Sequence, residues 1–371
     1  MKSINISKTI MRKRKEKKVT QEELAEYIGV SKASVSKWEN DQSYPDITFL
    51  PQLATYFNIS IDELMGYSPQ MTKEEIKKLY HSLSLKFTNR PFNEVINECR
   101  EIIREYHACF PLLLQMTVLL INHYTLADTR DVQEEILNEN IELCRYIKNE
   151  SQDLWLSKQA NSIEAMCQMM LNEPTEVLEL LDENIKPLID DSSLLAKAYE
   201  LRGENEKSKE VLQISIYQYL LNILSSIISY LMLNVNDVEC YEEVLKRTLG
   251  IIDLFNVEKL HPNITLQVYY SAAQSYAMQG KKHESLKMLS KYVEICTSEI
   301  FPLTLHGDEF FNYIEQWTSE FDLGVEPPRE EKVIKESMIQ CVTGNPIFKD
   351  FENEPIYKNL INTLERILGG K

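Results

Sequence analysis

Glycine and proline are scarce in this chain, 10 and 13 among 371 residues. So few breakers exclude an all-β protein with frequent tight turns, and they exclude a low-complexity tether. Seven cysteines occur (Cys99, Cys109, Cys144, Cys167, Cys240, Cys296, Cys341), but no Cys-x-x-Cys pair exists and the six histidines are dispersed. A disulfide framework or a zinc site needs clustered ligands, so reduced, buried thiols are expected instead. There is no phosphate loop, no metal-ligand spacing and no nucleophile constellation. The expectation is therefore a protein that is not an enzyme and uses no metal or cofactor. The N-terminus, Met1-Lys-Ser-Ile-Asn5, lacks the apolar core of a signal peptide, which points to the cytoplasm.

Long uncharged runs are rare as well. One stretch, Ile214 to Val235, carries no charge over 22 positions, enough to cross a bilayer. Ser215, Gln218, Asn222, Ser225, Ser226, Ser229 and Asn234 interrupt it, mostly at intervals of three or four, and make one polar stripe on a helix. A lipid-facing helix would rarely carry so many. The expectation is a buried helix and no membrane partner.

Positive charge is concentrated at one end. The whole chain has a net charge of −17, yet residues 1–66 are net +1 and the remainder −18. Lys8, Arg12, Lys13, Arg14, Lys15, Lys17 and Lys18 lie within eleven residues. Such a cluster either follows a phosphate backbone or solvates the first helix.

The same region carries dense helix punctuation. Thr20-Gln-Glu-Glu23, Ser60-Ile-Asp-Glu63 and Thr72-Lys-Glu-Glu75 each read as a capping box, with a hydroxyl at the N-cap and a carboxylate three residues on. Apolar residues recur at helical spacing: Ile6 and Ile10; Leu24, Ala25 and Ile28; Val35 and Trp38; Leu50, Leu53, Ala54 and Phe57; Ile61 and Leu64. Five short helices follow, with Gly29 free to end the second in a left-handed conformation and Ser31 placed to cap the third.

The segment Gln21 to Asn40, continued by Leu50-Pro-Gln-Leu-Ala54 and Ile61-Asp-Glu-Leu-Met-Gly66, resembles the helix-turn-helix of the Xre/Cro family. That resemblance implies a five-helix, lambda-repressor-like DNA-binding domain over residues 1–66, with the third helix in a major groove. Lys32, Ala33, Ser36 and Lys37 then match base-reading positions, where lysine donates to guanine O6 and N7 and alanine packs on a thymine methyl. Ser31 and Ser34 belong to the same DNA-facing turn. Gln21 matches a contact to phosphate and nearby bases, and Asn40 a phosphate contact. Arg14 should pair with Glu39, tying the first helix to the third.

A joint is expected at residues 67–71, and residues 72–371 read as helix after helix with turns near Asn89-Arg-Pro91, Glu173-Pro174, Gly203, Gly280 and Pro327-Pro328. Ala198-Tyr-Glu-Leu-Arg-Gly203 and the following Ser208 and Leu212 recur as Ser275-Tyr-Ala-Met-Gln-Gly280, Ser285 and Leu289, an offset of 77 residues. The pattern resembles the tetratricopeptide repeat, which implies an all-α solenoid with a concave face. In that register Lys197, Glu200, Gln267, Tyr270 and Gln274 face the groove. Asn161 lies on an earlier helix, and Gln218 and Asn222 on the uncharged stripe. Side-chain amides suit an extended peptide because each can both donate and accept. The same stripe could instead face water or form a dimer seam.

The whole architecture resembles the peptide-pheromone-sensing regulators of Gram-positive bacteria. It implies a transcriptional regulator of a double-stranded DNA operator, controlled by a short signalling peptide. The alternative is a regulator whose solenoid docks a protein partner and needs no ligand. A homodimer is expected because one such head covers a half-site; Phe310–Trp317 and Ile356–Leu368 are the candidate contact helices.

Overall fold

The computed structural model describes residues 5–65, 70–181 and 190–369. Gly66 and residues 67–69 of the expected joint lie outside them. Among the described residues every regular element is helical. The chain divides into two compact units, Met1–Lys78 with Phe92–Val177 and Leu79–Pro91 with Leu178–Lys371.

The first unit begins with α1 (Ile6–Glu16), α2 (Gln21–Ile28), α3 (Lys32–Glu39), α4 (Leu50–Phe57) and α5 (Ile61–Met65). Ile6, Ile10, Leu24, Ala25, Ile28, Val35, Trp38, Leu53, Ala54, Phe57 and Leu64 form one buried cluster. Of the apolar set read from periodicity, Ile61 is the one left exposed, at 40%. Burial on this scale, about 1.5–3 kcal/mol for each large side chain, holds together helices far too short to persist alone.

After α5 come α6 (Lys73–Asn89), α7 (Phe92–Glu105), α8 (Phe110–His123), α9 (Arg130–Glu150), α10 (Leu154–Met170) and α11 (Pro174–Leu181). Thr72 caps α6 with Glu75, and α6 ends at Asn89 before Pro91, as the sequence punctuation indicates. Leu113, Leu137, Ile141, Cys144, Ile163 and Cys167 pack α8, α9 and α10 together. Glu164, buried in that layer, is held by Arg145 at 2.9 Å and Lys148 at 2.6 Å.

The second unit contains α12 (Ser192–Leu201), α13 (Asn205–Leu233), α14 (Val238–Leu254), α15 (Val257–Leu260), α16 (Pro262–Met278), α17 (Lys282–Cys296), α18 (Glu315–Ser319), α19 (Glu331–Thr343) and α20 (Pro355–Leu368). The two recurring segments fold alike. Gly203 and Gly280 end α12 and α16 with φ of +77° and +71°, and a short turn leads each time into the next helix. In the second copy Ser285 is fully buried and donates to the Ala273 carbonyl at 2.7 Å. A larger side chain there would push α17 off α16.

One expectation is corrected here. The uncharged helix is not a buried one: α13 buries Tyr217, Leu220, Leu224 and Leu231 on one side only. By length and composition it could cross a membrane, and only 22% of its apolar stretch is buried. Lacking charge, its sequence could not distinguish a core helix from one with a bare apolar side. The candidate dimer segments are each buried on one side, while Phe310, Ile356 and Ile367 stay exposed at 55%, 52% and 44%. Residues 310–314 form a turn, with Phe311 and Ile314 buried against Tyr217 and Val257, while Tyr357, Leu364 and Leu368 of α20 join the cluster around α17. Those buried residues serve the unit's own core.

The seven cysteines are free thiols, five of them buried. Burial pushes the thiol of Cys167 up to about 11 and that of Cys296 up to about 12, so neither ionises readily near neutral pH.

Candidate DNA interface and ligand face

Local chemistry fixes the α2–turn–α3 geometry. The Thr20 hydroxyl accepts from the Glu23 N–H while the Glu23 carboxylate accepts from the Thr20 N–H, a complete capping box. These bonds hold the exposed Glu23 carboxyl below its ordinary value. Gly29 then takes φ +83°, and the N–H groups of Gly29 and Val30 both return to the Ala25 carbonyl. A side chain at residue 29 would be strained in this backbone region. Ser31 restarts the chain as N-cap, its Oγ accepting from the Ser34 N–H at 3.1 Å.

The resulting α3 has two unlike sides. Val35, Trp38 and Glu39 are buried; Lys32, Ala33, Lys37 and Asn40 are exposed, with Ser34 and Ser36 half-buried between them. All eight residues read as DNA-facing lie at the α2 start or along this surface. Lys32 Nζ stands 3.3 Å from Glu22, but both side chains are well exposed, and such a pair yields easily to a phosphate or a base. Lys37 has no ion-pair partner among the described residues. The N-terminal N–H groups of α3 add partial positive charge at the same end.

Beneath that surface lies a buried carboxylate. Arg14 grips Glu39 with two bonds, 2.6 and 2.8 Å, and its third nitrogen reaches the Val19 carbonyl at 2.8 Å. Burial alone would raise the Glu39 carboxyl. Hydrogen bonds from Arg14 and Gln21, with the charges of Arg14 and Lys15, outweigh burial and hold it below the ordinary carboxylate value. Gln21 Nε2 donates to Glu39 at 2.8 Å, leaving its second amide proton for a phosphate. This third member was not legible, because nothing local connects residues 18 positions apart.

The basic stretch is mostly spoken for. Arg12 pairs with Glu16 at 2.9 Å, Lys13 with Glu63 at 2.7 Å, Arg14 with Glu39, and Lys17 donates to the Tyr56 carbonyl. Lys8, Lys15 and Lys18 remain exposed and without an ion pair among the described residues. Sequence reasoning passed over Gln42, Ser43 and Tyr44, an exposed run that folds back where the Gln42 N–H meets the Lys37 carbonyl at 2.9 Å. Their polarity was the available signal, but it reads equally as a spacer.

The candidate ligand residues are distributed over α10, α12, α13 and α16. Lys197 and Glu200 are exposed on α12 and pair at 2.9 Å. Gln218, Asn222, Ser225 and Ser229 are exposed along α13, and Gln267 is exposed on α16. Tyr270 and Gln274 are a correction. The Tyr270 hydroxyl donates to the Cys341 carbonyl at 2.7 Å and accepts from Asn345 at 2.8 Å, with Gln274 at 3.5 Å. Packing of α19 and the following turn onto α16 uses the side that the repeat register assigned to an open groove. Asn161 lies in the other unit and accepts from Lys148 at 3.0 Å.

Fold and surface together define the N-terminal region as a helix-turn-helix domain of the DNA-binding type. Residues 10–64 match the helix-turn-helix family model. The region is similar to the HTH-type transcriptional activator BcrR of Enterococcus faecalis, 37% identical over 71 residues, 18% of this chain and 35% of that protein. It is also similar to the HTH-type transcriptional regulator ImmR of Bacillus subtilis, 29% identical over 98 residues, 26% of this chain and 70% of that protein. The chain thus spans about a third of the length of BcrR, and these likenesses concern the N-terminal part. Among solved structures, apo ComR from S. thermophilus covers 79% of this chain and 94% of its own at 14% identity and a TM-score of 0.23. ComR from S. thermophilus in complex with DNA and its signalling peptide ComS gives 14% identity, 79% and 93% coverage and a TM-score of 0.20. Scores this low transfer no geometry.

Proposed function

We propose that the protein is a cytoplasmic, sequence-specific DNA-binding transcriptional regulator. The observation that carries this reading is the capped, exposed N-terminal half of α3, anchored from behind by Val35, Trp38 and the Arg14–Glu39 pair. Lys32 and Lys37 donate to guanine edges, Ala33 packs on a thymine methyl, and Ser36 reaches an adjacent base. Ser31, Ser34, Gln21 and Asn40 hold phosphates, helped by Ser43 and by Lys8, Lys15 and Lys18. Affinity falls with salt as counterion release by the basic contacts weakens, and screening of the repulsion from the net −18 remainder makes that fall shallower than the basic contacts alone would give.

The finer reading is control by a short peptide. The exposed face of α13 supports it: Gln218, Asn222, Ser225 and Ser229 offer both donors and acceptors without charge, beside exposed apolar side chains. A ligand alters DNA binding only through its preference for one state, and a hundredfold preference corresponds to about 2.7 kcal/mol. Genome-wide mapping of DNA bound by the full chain tests the first part; discrete sites sharing a two-fold motif are expected, and uniform occupancy would refute it. For the second, peptides from spent medium should raise the thermal stability of the wild type but not of Gln218→Ala/Asn222→Ala. An equal shift in both places the ligand elsewhere. No shift in either, with a folded protein co-purifying, favours the docking scaffold.

A further inference from the structure

We infer that α13 is the dimer seam, pairing antiparallel with α13 of a second copy of this chain. The two sides of this helix are already assigned, one to the core and one to the uncharged polar stripe. A third side remains. Leu212, Ile216, Tyr219, Ile223, Ser226, Tyr230 and Leu233 follow one another at alternating steps of four and three, a seven-residue repeat over 22 residues. Leu212 and Ile216 are each 41% exposed, Ile223 47%, Tyr230 50% and Leu233 83%. On a helix this seam lies about 100° round from the polar stripe.

The spacing specifies the occupant. A 3.5-residue repeat turns a continuous seam towards another helix; an extended peptide has no use for it, and a lipid surface needs no such register. Reversed about Ile223, the alternation of four and three sets Ile223 against its counterpart and Ile216 against Tyr230, while Tyr219 and Ser226, and Leu212 and Leu233, meet one residue out of register. Each bulky Tyr219 thereby meets a small residue. Charge points the same way, since two chains of net −17 repel over most surfaces, while residues 214–235 bear no charge at all. Among the described residues, Asp190, whose charge is held by Ser192, Tyr219 and Ser215, borders the seam at Tyr219, and Asp237 lies near Tyr230. Only the expected two-fold symmetry rests on the DNA-binding reading; the seam itself stands on α13.

The test is sedimentation equilibrium of the full chain at low micromolar concentration, with Ile223→Glu, Ile223→Lys and an equimolar mixture of the two. Wild type is expected to be a dimer. Each single variant should dissociate, its dissociation constant raised about a hundredfold or more by the facing like charges. Mixing them should restore a dimer, because residue 223 opposes itself. Circular dichroism should stay native, since residue 223 is half exposed. A monomeric wild type, variants that remain dimeric, or a mixture that fails to re-pair would each overturn the inference. So would single variants that keep the dimer but lose peptide or vesicle binding. Half-site DNA binding by the dissociated variants reports separately on α3, so failure of the seam and failure of the DNA reading stay distinguishable.

Discussion

Replacing Lys32 and Lys37 together with alanine should lower affinity for the operator by about a hundredfold to ten-thousandfold while leaving the fold intact. Each lysine bonding a guanine edge contributes about 1–3 kcal/mol of discrimination, and neither supports the core: both side chains are exposed on α3. Titration of labelled operator at several salt concentrations separates two roles. If the lysines read bases, loss is concentrated on the operator and the competing random duplex is bound almost as before. If they only hold phosphate, affinity falls evenly across sequences and the salt slope drops by about one per lysine. An unchanged operator affinity would remove both residues from the interface. Loss of the Glu22 contact to Lys32 is of no consequence, because that pair is exposed to solvent.

Arg14→Met should destabilise the N-terminal domain by about 3 kcal/mol. Glu39 is 5% exposed and would be left with Gln21 as its main partner. Hydrogen exchange of residues 21–40 in the full chain measures this locally, without assuming that the two units unfold together. The acid response has a defined sign. In wild type the Glu39 carboxyl is held low, so its stabilisation is complete above the ordinary carboxylate range and is lost as pH falls through the lowered value. In Arg14→Met burial prevails and the carboxyl rises, so the gap between variant and wild type should narrow in acid. Arg14→Met/Glu39→Met should recover much of the loss, since the penalty comes from stranding one charge. Equal protection in wild type and Arg14→Met would show that the pair does not hold α3.

What could be read from the sequence was local. Thr20, Ser31 and Gly29 act on backbone groups within three or four residues, so their consequences for α2 and α3 follow from spacing alone. The apolar repeats gave the core of the first domain for the same reason. Tyr270 and Cys341 are 71 residues apart, and no local rule announces that α19 covers the side of α16 that the repeat register leaves open. The case of α13 differs. Its composition was unambiguous, but an absence of charge is common to a buried helix, a membrane span and a helix awaiting its own copy. The exposure of Ile216, Ile223 and Leu233 sets aside the buried helix, and the seven-residue register distinguishes the other two. Gln21 shows the intermediate situation, placed correctly beside α3 while its bond to Glu39 emerged only in three dimensions.

The central claim is that the N-terminal turn of α3 meets base edges. An iron chelate attached at Glu22→Cys, exposed beside Lys32, in the full chain, mixed with operator and reductant, tests it most directly; wild type treated identically accounts for labelling at the native cysteines. Cutting is expected within each half-site, at nucleotides facing one major groove and at two positions related by the operator's two-fold axis. A chain labelled at residue 22 that cuts no more than labelled wild type, or cuts without regard to sequence, would contradict it.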